Sequence, residues 1–256
     1  MKVLILGGTT EASALASALG ERGIPALFSY AGRVATPKPQ PLPTRVGGFG
    51  GVTGLAAFLG EERITHLVDA THPFAEQMSR HAVAAAQQTG IRCQALTRPP
   101  WLPEAGDRWQ QVASVEAAVA ALAGPAERIL LAIGRQQLAA FASQPQHHYL
   151  LRLVDAPEVA PPLPRHRVIL DRGPFTLDGD LALLQEHGIQ RLVCKNAGGA
   201  GAIAKLTAAR QLGLPVVMIE RPALPQRQEA HTVEEVLAWL THDSAPDSAP
   251  RAERGV

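Results

Sequence analysis

The chain has 256 residues and a formal net charge of +1, with 46% of its residues hydrophobic and 18% charged. A chain of this length and composition can bury one large core or two smaller ones. Its balanced, interspersed charges exclude a broad nucleic-acid-binding surface, and no apolar run approaches the roughly 18 residues that a membrane span needs.

Short apolar runs alternate along the chain with segments rich in alanine and leucine. In the first half this pattern predicts strands over 2–6, 25–30, 65–70 and 91–97, with helices over 10–22, 51–63, 73–89 and 114–123. In the second half it predicts strands over 128–133, 148–154, 167–171, 191–195 and 215–220, with helices over 135–142, 177–187, 201–212 and 232–240. Such alternation is typical of βαβ units.

We therefore predict an α/β fold of two Rossmann-like parallel-sheet subdomains, residues 1–124 and 125–241, with a cleft between them at the strand carboxyl ends. Residues 242–256, rich in Ser, Ala, Pro and Arg, are predicted to be a disordered tail. No signal-peptide pattern opens the sequence, so we expect a cytoplasmic protein, either a monomer or a weak homo-oligomer. Cys93 and Cys194 lack the paired spacing of a metal site, and no metal is expected.

The first predicted strand runs directly into Gly7-Gly8-Thr9-Thr10. Two glycines permit a sharp turn at the strand end, and the N–H groups at the helix start can then face a phosphate. The spacing differs from G-x-G-x-x-G, and an ordinary strand-to-helix turn capped by Thr9 or Thr10 is the alternative. Gly7, Gly8, Thr9 and Thr10 are our first cofactor-binding candidates.

The second predicted strand carries Ser29 and is followed by Gly32 and Arg33, with no acidic residue near them. In an NAD-binding unit, an acid in this neighbourhood holds the ribose 2′-hydroxyl. A hydroxyl and a guanidinium instead suit a 2′-phosphate, so a dinucleotide bound here would be NADP(H). The alternative is that Arg33 only caps a loop or pairs with a surface carboxylate.

A glycine-rich loop, Gly47 to Gly51, surrounds Phe49 and precedes a predicted helix. Glycine costs backbone entropy, so this density indicates close approach to a ligand or tightly strained turns. We predict that Gly47, Gly48, Phe49 and Gly50 contact the cofactor; a flexible surface loop is the alternative.

The third predicted strand ends at Asp69-Ala70-Thr71-His72-Pro73. Pro73 suits the first turn of a helix that Thr71 or His72 would cap. A cap does not require both Asp69 and His72, and histidine titrates near neutral pH. We therefore predict that Thr71 contacts the cofactor, that His72 contacts the substrate, and that His72 or Asp69 handles a proton.

Cationic residues follow two strands of the second half. Arg172 follows one, Lys195-Asn196 and several glycines follow the next, and Lys205 comes one turn into the helix after it. Such a cationic, N–H-rich loop suits the carboxylates of a substrate or the pyrophosphate of a cofactor. The pattern is not G-x-x-x-x-G-K-[ST], which disfavours a P-loop kinase or ATPase.

Together these segments resemble the precorrin-6A reductase family of cobalamin biosynthesis, including its cobalt-precorrin-6A counterparts. The matching stretches follow the family's order over residues 1 to 240: Ile5 to Ala12, Ala31 to Arg33, Arg45 to Gly51, Asp69 to Ala75, Arg98-Pro99 with Trp101, Arg172 to Phe175, Lys195-Asn196 with Gly198-Gly199, Lys205 with Ala208-Ala209, and Arg221-Pro222. This chain has Ala197 where the family often has serine, so no hydroxyl role is assigned there.

The resemblance implies an oxidoreductase that moves hydride from NADPH to a large polycarboxylate tetrapyrrole, with or without cobalt. It implies carboxylate contacts from Arg98, Arg172, Lys195, Asn196 and Lys205. Two other classes stay open: a nucleotide-dependent transferase without redox chemistry, and a non-catalytic NADP-sensing module. A sensor does not need the cationic loops of the second half, and a metal-dependent transferase should show clustered acids, which are absent.

Overall fold

A computed structural model describes residues 1–32, 38–171, 173 and 175–242. Among these, the chain forms two compact units: unit 1 is residues 1–97 with those from 224 onward, and unit 2 is residues 98–223. Each unit contains a parallel six-stranded sheet with helices, which confirms the predicted α/β fold with two Rossmann-like sheets. Arg33, Arg172 and residues 243–256 of the predicted tail lie outside the described residues, whereas His242, the first residue of that predicted tail, is the last residue of a helix.

Unit 1 is built on a sheet whose strands follow the order β3-β2-β1-β4-β5-β12. The order reverses direction between β1 and β4, which is the point of a doubly wound sheet where ligands bind. The strands are β1 (Val3–Leu6), β2 (Ala26–Tyr30), β3 (Thr44–Val46), β4 (His66–Asp69), β5 (Arg92–Leu96) and β12 (Gln228–Ala230), and the helices are α1 (Thr10–Glu21), α2 (Gly51–Glu61), α3 (Glu76–Thr89) and α7 (Val233–His242).

Both faces of this sheet are buried, as the continuous apolar run of β1 requires. Val3 and Ile5 pack in one apolar cluster with residues of α1 and α7. Leu4 and Leu6 pack in another with residues of α2 and α3. Alternate side chains of one strand thus hold helices on opposite faces, and the carboxyl ends of the strands are fixed between those helices.

Unit 2 repeats this plan with the strand order β9-β8-β7-β10-β11-β6. Two helices differ from their predictions. The predicted helix 135–142 is a 3-10 helix over residues 135–143, and the predicted helix 201–212 begins as a 3-10 turn over 200–202 followed by an α-helix. The strands are β6 (Arg108–Val112), β7 (Arg128–Ala132), β8 (His148–Leu153), β9 (His166–Leu170), β10 (Arg191–Lys195) and β11 (Pro215–Ile219), and the α-helices are α4 (Val115–Ala120), α5 (Leu177–Glu186) and α6 (Ala204–Gln211).

The unit boundaries differ from the predicted 1–124 and 125–241. Strand β6 and helix α4 belong to unit 2, because β6 pairs with β11, with Arg108 opposite Pro215. Strand β12 and helix α7 belong to unit 1, where β12 pairs with β5. In unit 1 the sixth strand, β12, therefore follows the other five along the chain, and in unit 2 the sixth strand, β6, precedes the other five. No helix within the described ranges is long and apolar enough to span a membrane.

Candidate functional site

Three glycines lie at the carboxyl ends of neighbouring strands in unit 1. Gly8, Gly32 and Gly47 follow β1, β2 and β3 and have φ angles of +126°, +74° and +125°. A Cβ atom added to Gly8 or Gly47 would meet no heavy atom within 4 Å, and one at Gly32 would come 3.7 Å from Gly47. Side-chain-bearing residues rarely adopt these angles. The glycines thus keep the backbone accessible along this edge.

Gly7 has a different role from Gly8. A Cβ atom at Gly7 would lie 2.1 Å from the Cζ atom of Phe28, and the Phe28 ring is fully buried in the core. The packing of this ring is therefore enough to require a glycine at position 7. The backbone N–H of Gly7 donates to the carbonyl of Ser29 at 2.9 Å and so extends the pairing of β1 with β2.

Thr9 is the N-cap of α1, as one of the two interpretations of this turn predicted. Its hydroxyl accepts from the N–H of Ala12 at 3.1 Å and donates to the carbonyl of Ala70 at 2.8 Å. The second bond joins the ends of β1 and β4 at the point where the strand order reverses. Thr10 is exposed, and its hydroxyl donates to Glu11 at 3.0 Å.

Arg45 organises the glycine-rich loop, a role that the sequence did not reveal. Its Nη1 atom donates to the hydroxyl of Ser29 and the carbonyl of Gly47, both at 2.9 Å, and its Nη2 atom donates to the carbonyl of Gly48 at 3.1 Å. The guanidinium lies 3.9 Å from the centroid of the Phe49 ring. Burial lowers the pKa of Arg45 from its ordinary value. The available signal was an arginine two residues before a glycine run.

Phe49 packs inward from the same loop. Its ring meets the ring of Phe58 edge to face, with centroids 5.1 Å apart. Gly50, the N-cap of α2, then turns the chain with φ +79°. The alternative interpretation, a flexible surface loop, is therefore wrong, because the Arg45 guanidinium and two aromatic rings hold the loop in place.

Asp69 anchors the loop after β4. This carboxylate is 4% exposed. Its Oδ1 atom accepts from the N–H and hydroxyl of Thr71 at 3.2 and 2.7 Å, and its Oδ2 atom accepts from Ser79 at 2.6 Å and Arg227 at 2.9 Å. Each oxygen thus has two donors, so the geometry supports a positioning role for Asp69. The hydroxyl proton of Thr71 is engaged in the same network.

His72 is exposed on this loop. Its Nδ1 atom accepts from the backbone N–H of Phe74 at 3.2 Å, so the neutral ring carries its proton on Nε2. The predicted helix 73–89 was wrong at its start, because α3 begins at Glu76 with Ala75 as N-cap. Neither Thr71 nor His72 caps it: the N–H of Ala75 donates to the carbonyl of His72 at 2.7 Å in a separate turn.

In unit 2, Asn196 joins the loop after β10 to the segment at Trp101. The Asn196 side chain accepts from the N–H of Trp101 at 2.8 Å and donates to its carbonyl at 3.0 Å. Arg221 donates to the carbonyls of Asn196, Ala197 and Arg98 at 2.8 to 3.1 Å. These bonds fix the loop, so the predicted substrate contact Asn196 has an internal role.

Packing also explains the two glycines of that loop. A Cβ atom at Gly198 would lie 2.1 Å from the carbonyl oxygen of Pro99, and one at Gly199 would lie 2.4 Å from the Cδ atom of Arg98. Both residues have positive φ angles, +70° and +77°. The glycines therefore allow residues 98–99 to pack directly against the loop.

The predicted carboxylate-binding cations differ in how far they are buried. Lys205 is only 7% exposed; its Nζ atom donates to the carbonyl of Ala202 and lies 4.7 Å from the ring centroid of Trp101. Burial lowers the pKa of Lys205. Lys195, at the end of β10, and Arg98 are instead half-buried.

Comparison with known proteins identifies the family. The model of the precorrin-6x reductases CbiJ/CobK matches residues 2–241. The chain belongs to this family. This reductase is 56% identical to the precorrin-6A reductase of Rhodobacter capsulatus over 246 residues, 96% of this chain and 98% of that protein. It is 47% identical to the precorrin-6A reductase of a Sinorhizobium species over 248 residues, 96% and 94% of the two chains.

A more distant relative and a solved structure support the same family assignment. The reductase is 30% identical to the cobalt-precorrin-6A reductase of Priestia megaterium, over 94% of this chain and 99% of that protein. The solved structure of a CobK precorrin-6A reductase matches it with a TM-score of 0.92 and 56% identity, covering 96% of this chain and 98% of the other. The resemblance found in the sequence is thus confirmed, and a reductase of this family implies a nicotinamide cofactor in general.

Proposed function

We propose that this reductase transfers hydride from NADPH to precorrin-6A and forms its dihydro product in cobalamin biosynthesis. Family membership over residues 2–241 supports the reaction. The metal-free substrate is favoured because relatives named precorrin-6A reductase are 47% and 56% identical, whereas the cobalt-precorrin-6A reductase described above is 30% identical.

The observation that carries the cofactor assignment is the accessible backbone at the ends of β1, β2 and β3. Gly8, Gly32 and Gly47 leave room there for a dinucleotide, and the first N–H groups of α1 are suited to its phosphates. The reversal of strand order beside β1 is the usual position of a dinucleotide on such a sheet. These residues fit the group, which when bound supplies the hydride.

The preference for NADPH over NADH rests on the neighbourhood of β2. Ser29 and Arg33 offer a hydroxyl and a guanidinium, and the acidic residue that would hold a 2′-hydroxyl and repel a 2′-phosphate is missing from residues 22–60. Ser29 is buried and its hydroxyl accepts from Arg45, so its contact with the phosphate would use its hydroxyl proton.

For the substrate, we propose Lys195, Arg98 and Arg172 as partners of the carboxylates. Lys195 and Arg98 are partly accessible, and a cation pairs with a carboxylate through charge-assisted hydrogen bonds. We assign Asn196 and Lys205 to the support of this loop, because their polar groups are bonded internally.

We propose His72 as the residue that supplies a proton. Adding hydride to an unsaturated unit requires one proton to complete the dihydro product. His72 is exposed, and because its Nδ1 atom accepts from Phe74, the neutral ring carries its proton on Nε2. We assign no proton transfer to Asp69, whose oxygens each accept two bonds.

The test of the cofactor assignment compares NADPH with NADH by fluorescence titration. Arg33→Ala should weaken NADPH binding at least about tenfold, the loss of one charge-assisted bond to phosphate, and leave NADH binding nearly unchanged. Arg22→Ala, which removes an exposed arginine of unit 1 bonded to Ala18, is the control and should change neither. Equal weakening of both cofactors by Arg33→Ala would contradict the role of Arg33.

A further inference from the structure

A pocket of about 420 Å³ lies in unit 2 at the amino ends of β7, β8 and β9. Three arginines and three histidines line it, and every residue of its lining is described and none is acidic. The arginines are Arg128, Arg165 and Arg167, and the histidines are His148, His166 and His187. The three arginines therefore concentrate positive charge in this pocket, although the formal net charge of the whole chain is only +1.

The strand register explains why these arginines and histidines lie close together. Arg128, the first residue of β7, lies opposite His148, the first residue of β8. His166 opens β9 and lies opposite Tyr149. These strands have five or six residues, so at about 3.3 Å per residue the pocket lies roughly 15–20 Å from the carboxyl ends of the same strands. It is thus distinct from the loops that follow those strands.

The arginines of the pocket differ from others in unit 2. Arg191 forms a two-bond pair with Glu127, at 2.7 and 3.0 Å, and Arg210 pairs with Asp107. Arg165 and Arg167, in contrast, are exposed and form no side-chain hydrogen bond or ion pair with any described residue. Clustered like charges without compensation repel one another, and a bound anion would relieve that repulsion.

The remaining polar groups leave the centre of the pocket to the guanidinium groups. His166 has its Nδ1 atom 2.7 Å from the carbonyl of Leu163 and donates to it. The hydroxyl of Tyr149 donates away from the lining to the carbonyl of Gln144 at 2.9 Å. Leu150 and Ile189 add buried apolar surface. The lining thus pairs an apolar floor with three guanidinium groups, of which that of Arg128 also donates to the carbonyl of His187 at 3.4 Å.

We propose that this pocket binds a small organic phosphate, with its phosphate group held by Arg128, Arg165 and Arg167 and its organic part against Leu150 and Ile189. A phosphate group carries close to two negative charges and three strong acceptor oxygens, which match several guanidinium forks. A pocket of this size and mixed lining is typical of small-molecule sites. The proposal concerns unit 2 alone and does not depend on the proposed reductase activity.

The test is calorimetric titration with phenyl phosphate while the protein is saturated with NADP⁺, so that the probe cannot occupy the cofactor's own phosphate site. Saturable binding is expected. The double variant Arg165→Ala/Arg167→Ala should lose at least about tenfold in affinity while keeping its melting temperature and its turnover of precorrin-6A. Inorganic phosphate should bind more weakly than phenyl phosphate, because it has no apolar part.

The control is Arg108→Ala, which removes an exposed arginine at the amino end of β6 in the same sheet, bonded to the carbonyl of Gly213. It should leave binding unchanged. No saturable binding of phenyl phosphate, equal losses in Arg108→Ala and in the double variant, or equal affinities for inorganic and phenyl phosphate would each overturn the proposal.

Discussion

Replacing the two glycines after β1 one at a time should separate a packing role from a binding role. In Gly7→Ala the new methyl group would lie 2.1, 2.3 and 2.9 Å from three atoms of the Phe28 ring. In Gly8→Ala it would meet nothing within 4 Å, but the residue would keep φ +126°. We expect the first variant to lose mainly stability and the second to lose mainly cofactor affinity.

The expected losses follow from the clash with Phe28 in Gly7→Ala and from the positive φ angle in Gly8→Ala. Overpacking a core costs about 1–3 kcal/mol, and the Phe28 ring is fully buried, so Gly7→Ala should reach about 3 kcal/mol. At about 2–4 °C per kcal/mol for a chain of this size, the melting temperature falls by about 6–12 °C. Gly8→Ala carries backbone strain of about 1–3 kcal/mol, and its methyl group would enter the proposed cofactor space, so NADPH affinity should fall at least about tenfold.

The assay is thermal unfolding together with NADPH titration of each variant. Gly23→Ala is the matched control, because Gly23 has φ +62° with open space around it but lies before β2, away from the glycine edge; it should cost stability without changing affinity. Phe28→Leu should partly rescue Gly7→Ala by making room. Unchanged NADPH affinity in folded Gly8→Ala, or no rescue by Phe28→Leu, would refute the reasoning.

Three further variants test the loops of unit 1. Arg45→Lys keeps the charge but loses the fork that reaches Ser29, Gly47 and Gly48, so KM for NADPH should rise about tenfold; an unchanged KM would show that the loop holds its shape alone. Asp69→Asn removes one of the two carboxylates that pair with Arg227, the other being Glu229, and should cost about 2 kcal/mol in denaturant unfolding; a loss below about 1 kcal/mol would contradict the anchor role. His72→Ala should lower kcat about 100-fold with little change in KM for NADPH, whereas full turnover at saturating substrate would exclude an acid role.

The sequence predicted the buried strands well and the edge strands poorly. A strand such as β1 is a continuous apolar run because helices cover both faces of the sheet. The missed strands are short and largely polar, β3 with Thr-Arg-Val, β6 with Arg-Trp-Gln-Gln-Val and β12 with Gln-Glu-Ala. Two of them, β6 and β12, pair with strands of the other predicted half, β11 and β5, so the predicted boundary differed from the observed units.

The candidate site could be predicted as a set of loops but not as a set of contacts. Because the sheet is parallel, Gly8 and Gly32, which follow two predicted strands, were expected to share one edge, and they do. Gly47 joins them because it follows β3, a strand that the sequence did not reveal. The sequence could not show that the Phe28 ring leaves no room for a side chain at Gly7 or that Asn196 is bonded to Trp101. Nor could it show that Arg45 donates to the carbonyls of the glycine-rich loop. Each of these depends on a side-chain contact between residues distant in the chain, which local patterns do not encode.

The most direct test of the proposed activity is anaerobic incubation of the full chain with NADPH and precorrin-6A, followed by mass spectrometry and absorption spectroscopy of the tetrapyrrole. We expect a product heavier by two hydrogens, with one NADPH oxidised for each molecule formed. No gain of two hydrogens with either precorrin-6A or its cobalt form would contradict it.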